Sequence, residues 1–375
     1  MVEILVDLQN YELDSISLHP KISILTKYLS QTMPPENKAS QIPSQDFSPA
    51  VQDRNFFICL MLGATVFPFA FVPLTQLMEQ RFDSLVNIRE VLFLLSSMHI
   101  ALTPFFYADG AMQEHIHRRR LRYFVATSGC IFGTMLVFLF LGREYINYFF
   151  IFYHICLLWH HTRQNYGLLA FIGLATDTGR VSAYERQALY LASYAGIFGL
   201  MRFFTKNTIF DGAEGLFKNI GLIVYGISIS LFIVSTIKNR SQWSDIRRVF
   251  FGALLTLFFL PSFLFTDRIS AFSTFALAHA LQYFFFMYYV SASGGGTSAL
   301  RRSIKLLITF ICTSVLLLII KDHSIWGGAS WALNGFFWGF VLSHFVIDAD
   351  AWKLSQPFQR EYMKNAFAFL FQNKG

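Results

Sequence analysis

Histidines are the residues of this chain best suited to chemistry. Six of the ten, His99, His154, His160, His161, His279 and His344, fall inside long apolar stretches. Imidazole is costly in hydrocarbon and persists there when it faces a partner, a cavity or a metal. Together they point to a buried polar site, most simply a metal centre.

The run from Tyr153 to Gly167 carries three of them. At about 100° per residue, His154 and His161 are nearly eclipsed on a helix, and Asn165 continues that face. His160 points about 100° away from His161, with Gln164 one turn on. Two polar faces on one helix suit two metals, or one metal and the groups that support it. Near the C-terminus, His344 and Asp348 are four apart and share a face. That spacing suits two ligands, or a histidine oriented by a carboxylate. His279 sits among alanines that let helices approach closely, with Gln282 and Tyr283 on its own face. His99 precedes Pro104, which removes the backbone donor that would reach the Ile100 carbonyl. His115 and His117, beside Arg118, Arg119 and Arg120, are expected in a solvated loop at the lipid headgroups. His19 and His323 are expected away from the site.

The candidate metal ligands are therefore His99, His154, His160, His161, His279, His344 and Asp348, with Tyr283, Gln282 and Asn165 as catalytic candidates beside them. Imidazoles with few carboxylates suit iron, zinc, copper or nickel better than magnesium or calcium. This many donors exceeds what one four-coordinate zinc needs. Two irons per chain is the favoured expectation, with zinc or copper as alternatives. Haem, needing one or two axial histidines per ring, would use fewer of them.

A metal site within a bilayer favours a lipid-soluble substrate, and oxygen also partitions into lipid. The expected activity is oxygen-dependent oxidation of a hydrophobic molecule by desaturation, hydroxylation or oxidative cleavage. No flavin, ferredoxin or cytochrome motif occurs, so any reductant is expected from an external electron donor, while an oxygen-cleaving dioxygenase would need none. Two other classes stay open. One is a haem-binding, metal-binding or transport protein. The other is a metal-free membrane acyl or glycosyl transferase using His279 as general base.

The pattern of His99, His154, His160, His161, His279, His344 and Asp348 resembles the multi-histidine membrane oxygenases and desaturases. More loosely, it resembles the carotenoid-cleaving dioxygenases related to the Brp and Blh proteins. The desaturases use HxxxH and HxxHH boxes, whereas His154, His160 and His161 give HxxxxxHH here. The resemblance implies a di-iron centre in a bundle of membrane helices, and it carries over no residue by motif.

The elements that must position these groups are membrane helices. The chain is 54% hydrophobic and 18% aromatic with only 14% charged residues, a membrane composition. About 20 helical residues span a hydrocarbon core of about 30 Å. Apolar stretches near 56–78, 88–108, 122–142, 146–170, 188–205, 217–237, 249–266, 270–291, 303–321 and 329–349 predict an all-α bundle of about ten spans. Every histidine inside them falls on an even-numbered stretch, so the imidazoles are expected on parallel helices. Residues 1–54 read as a cytoplasmic segment and flexible linker, 55–352 as the bundle, and 353–375 as a cytoplasmic tail.

The net charge of +7 excludes little until its placement is considered. Arg118, Arg119, Arg120, Arg122, Lys238, Arg240, Arg247, Arg248, Arg301, Arg302, Lys305, Lys353, Arg360 and Lys364 all flank the ends of even-numbered stretches. That bias fits the positive-inside rule with both termini cytoplasmic, and no nucleic-acid partner is expected. Cys59, Cys130, Cys156 and Cys312 lie in apolar stretches without CxxC spacing and read as small packing residues. Acidic Glu3 and Asp7 with no basic n-region predict no signal peptide.

Overall fold

Long runs of Leu, Ile, Phe and Val bounded by charge produce helices, and a computed structural model of the chain is all-helical, with turns between helices and no strand among the described residues. It describes residues 54–81, 94–293, 296–321 and 330–371. The N-terminal segment and most of the linker, with His19 and His323, lie outside the described residues.

The principal helices are α1 (Arg54–Arg81), α2 (Thr127–Phe140), α3 (Ile146–Ala175), α4 (Ala183–Met201), α5 (Glu214–Lys238), α6 (Ile246–Thr256), α7 (Arg268–Ala292), α8 (Gly296–Lys321), α9 (Ser330–Ala351) and α10 (Pro357–Ala366). Among the described residues, six helical segments are long and apolar enough to cross a bilayer: Arg54–Thr75, Leu121–Phe140, Glu214–Lys238, Arg268–Ala292, Thr297–Lys321 and Ser330–Ala351. The four remaining expected stretches behave differently, each for a local reason. Leu94–Ala108 is a shorter apolar helix, interrupted by a 3-10 turn at His99–Leu102. Helix α3 is 30 residues long but carries His154, His160, His161, Arg163, Gln164 and Asn165. Helix α4 opens on Glu185 and Arg186. The stretch 249–266 breaks between α6 and a short helix at Pro261–Leu264, where Pro261 lacks a donor and starts a new turn.

Helix α7 is the central element. Of its apolar stretch, 78% is buried inside the protein, against 11% for α8. It packs on α1, on α8 and on the His99 turn, while α9 packs on α2, α3 and α8. The α2–α9 seam brings backbones close together: a Cβ on Gly339 would lie 2.6 Å from Ile131 Cα, and one on Gly335 2.8 Å from Met135 Cα. Ser343, four residues further on, donates to the Thr127 carbonyl at 2.9 Å. Small residues every fourth position let two helix backbones touch.

Polar networks tie the helices together at one end. His115 is buried there and pairs with Asp350 at 2.8 Å, stacking on Phe358 at 4.4 Å. This overturns the expectation of a solvated His115, because Asp350, 235 positions away, supplies a buried carboxylate partner. His117 is exposed as expected. Arg119 and Arg122 reach the same carboxylate at 2.5 and 2.9 Å, and Tyr123 donates to it at 3.0 Å. Asp109 accepts from Arg302 and Tyr362, each at 2.8 Å. Burial and the Asp109 charge hold the Tyr362 phenol well above its ordinary pKa, so it stays a donor.

Helix α10 and Ala368–Phe371 fold back onto the bundle, where Phe367 and Phe369 pack against Phe57 and Tyr289. Arg248, counted above among the flanking charges, is buried against Glu185 at 2.8 Å with both side chains 1% exposed. Glu185 also closes a capping box with Ser182 at the start of α4.

Candidate metal centre

Four segments deliver the cluster. The turn at 99–102 supplies His99, α3 supplies His160 and His161, α7 supplies His279 and Tyr283, and α9 supplies His344 and Asp348. The turn is tightened because Thr103 N donates to the Ile100 carbonyl at 3.1 Å, the group that Pro104 cannot serve. His279 and His344 are fully buried, and His99, His160, His161 and Asp348 are nearly so.

The imidazoles are in mutual contact. His279 has ring-centre distances of 4.0 Å to His161, 4.7 Å to His99 and 5.0 Å to His160. His344 lies 4.9 Å from His160 and 5.0 Å from His99. On α9, His344 Nε2 is 3.5 Å from Asp348 Oδ2, and His160 Nε2 approaches the same oxygen to 3.9 Å. The i,i+4 pairing of His344 with Asp348 thus forms as the spacing predicts.

The outward-facing atoms of several of these groups are already engaged. His99 Nδ1 donates to the Ser96 carbonyl at 2.5 Å, which leaves Nε2 as a bare lone pair. His344 Nδ1 meets Thr103 Oγ1 at 2.6 Å. Tyr283 donates to Asp348 Oδ1 at 2.9 Å. Neighbours of this kind orient metal ligands and fix their tautomers.

On the inner side, five donor atoms have no such partner among the described residues. His99 Nε2, His161 Nδ1, His279 Nδ1, His344 Nε2 and Asp348 Oδ2 are buried without a hydrogen bond. Leaving one polar atom buried in that way costs about 1–3 kcal/mol. Five in one place are a large debt unless an ion fills the centre. Two sets of three donors, His99/His279/His344 and His160/His344/Asp348, each lie with their donor atoms within 4.8 Å of one another. The donor chemistry fits a transition metal or zinc.

No family model, no curated protein and no solved structure matches the chain. The site's geometry alone carries its interpretation.

His154 stands apart from the other imidazoles. Its Nδ1 donates to Phe150 O at 2.6 Å, and its ring neighbours are Phe150, Tyr153, Phe204 and Phe272. Asn165 is buried with its Oδ1 unpartnered. Gln282 is engaged away from the cluster, donating to Thr65 at 2.8 Å and accepting from Gln164 at 3.3 Å. Sequence reasoning did not single out Ser96, Thr103 or Thr65. The one available signal is that Thr103 immediately precedes Pro104, and it does not reveal a bond to a residue 241 positions away.

Proposed function

We propose that the chain is a membrane-embedded, metal-dependent oxidoreductase acting on a lipid-soluble substrate, with iron as its metal and dioxygen as its oxidant. The observation that carries this reading is the convergence of His99, His160, His161, His279, His344 and Asp348, with His99 Nε2, His161 Nδ1, His279 Nδ1, His344 Nε2 and Asp348 Oδ2 buried and unpartnered. Two of the helices that carry it, α7 and α9, are long and apolar enough to cross a bilayer, which supports a substrate arriving from the lipid phase. Hydroxylation or desaturation consumes two electrons per dioxygen beyond those of the substrate, and an external donor supplies them. Oxidative cleavage of a carbon–carbon double bond into two carbonyls balances with dioxygen alone.

Haem is disfavoured by the packing. Imidazoles with ring centres 4.0 to 5.0 Å apart leave no plane for a porphyrin between them. Under the same proposal the chain crosses the membrane about ten times with both termini cytoplasmic. What supports the orientation is the bias of Arg and Lys in the sequence toward the ends of the even-numbered apolar stretches.

The test is metal analysis of the full chain in detergent, alongside an optical spectrum. The expected result is about two irons per chain without a Soret band, and loss of most metal in His279→Ala at unchanged helical circular dichroism. Stoichiometric metal retained by folded His279→Ala, or a Soret band in the wild type, overturns the reading.

A further inference from the structure

We infer that the cluster is an asymmetric pair of ion sites: a tight one on His160, His344 and Asp348 completed by His279, and a weaker one on His99 and His161. The inference rests on the metal-centre reading and specifies which ligands serve which ion.

The argument starts from His344, the one residue common to both donor sets. Its Nδ1 is committed to Thr103 at 2.6 Å, so a single ring nitrogen, Nε2, faces inward. One imidazole lone pair binds one ion. The two sets therefore cannot both be complete, and an ion in one deprives the other of its third ligand.

Charge decides which set wins. His99, His279 and His344 are neutral donors, and a divalent ion among them keeps its full charge in a medium of low dielectric. The other set contains Asp348, the one carboxylate of the cluster, and Coulomb attraction there is poorly screened. Distances agree. His160 Nε2 and His279 Nε2 are 3.3 Å apart. Two nitrogens bound at 2.0–2.1 Å to a tetrahedral ion lie about 3.3 Å apart. With Asp348 Oδ2 at 3.5 Å from His344 Nε2 and 3.9 Å from His160 Nε2, three of the six donor–donor distances of such a four-ligand shell fall between 3.3 and 3.9 Å.

Three unpartnered nitrogens are then left over; one, His279 Nδ1, carries that ring's proton once its Nε2 is a ligand, and the other two belong to rings the first site does not use. His99 Nε2 and His161 Nδ1 are unpartnered, and both rings contact His279. One turn beyond His161, Asn165 Oδ1 is also buried and unpartnered. All three are neutral, and a second dication is repelled by the first. Both facts weaken the second site.

The test is a Co2+ titration of the full-length protein after chelator stripping. Bound ion is counted by dialysis, and its geometry is followed by the visible Co2+ bands. The wild type is expected to bind in two steps, the first at least about 100-fold tighter. Asp348→Asn, close in shape, is expected to weaken the first step by about 100-fold or more, the reading of a lost carboxylate ligand. His99→Ala is expected to keep the first step with its tetrahedral spectrum and to lose the second.

Two equal ions in one step, a first step unchanged in Asp348→Asn, or a first step abolished in folded His99→Ala each overturn the assignment. So does a single ion only. No Co2+ bound by the wild type is a different failure, because it sinks the metal-centre reading itself. Circular dichroism of each variant separates ligand loss from unfolding.

Discussion

Tyr283 shows how a single hydroxyl prepares the centre. By donating to Asp348 Oδ1 at 2.9 Å it leaves Oδ2 as the free ligand atom, and its ring packs 5.2 Å from His344 and 5.6 Å from His99. Tyr283→Phe keeps the ring and removes that bond. The expected outcome is a rise in the metal dissociation constant of about 10- to 100-fold, as for lost partners of metal ligands generally. Competition with a chelator of known affinity measures it. His154→Ala is expected to leave the metal content unchanged, because His154 is bonded to Phe150 and ringed by aromatic side chains. Loss of metal in that variant, read by plasma mass spectrometry, would return His154 to the centre. Residue type and spacing made His279, Tyr283 and the His344–Asp348 pair legible in the sequence. Thr103 was not legible, since its role depends on a partner on another helix.

At the scale of elements, the seam between α2 and α9 holds His344 and Asp348 in place from behind. Gly335 and Gly339 have backbone atoms of α2 where a Cβ would go. Gly339→Ala must push the two helices apart, at a cost of about 1–3 kcal/mol typical of overpacking. Gly133→Ala on α2 is the control, with nothing within 4 Å of its Cβ position. It is expected to be neutral or slightly stabilising, since Ala outranks Gly in helix propensity. Thermal unfolding in detergent compares the two, and equal melting temperatures would show that the close approach does not matter. Helix α3 illustrates a limit of hydropathy. Its polar run lowers its apolar character, yet His160, His161, Thr162 and Asn165 are buried and face other helices.

At the scale of the molecule, charge and packing give the two ends different character. One end gathers His115, Arg119, Arg122, Asp350, Asp109, Arg302 and Tyr362 into buried networks. Elsewhere, cations lie over rings: Arg143 over Trp331, Arg268 over Phe204 and Lys321 over Phe337. The proposed orientation predicts the outcome of cysteine labelling once Cys59, Cys130, Cys156 and Cys312 are replaced. Lys206→Cys should react with an impermeant maleimide on intact cells, and Arg120→Cys only after permeabilisation. The reverse pattern would invert the topology.

By itself the sequence determined the helical class, the presence of helices long and apolar enough to cross a bilayer, and the residue types able to bind a metal. These follow from local composition and from periods of 3.6 residues, which neighbouring positions along the chain specify. The tertiary structure decided which donors meet. It joined His99 to His279 and His344, set His154 aside, and buried His115 against Asp350. Those outcomes depend on helix neighbours, on glycine seams and on hydrogen bonds between residues hundreds of positions apart. Spacing along the chain does not encode such contacts, because a helix's own period says which face is polar and not what that face will touch.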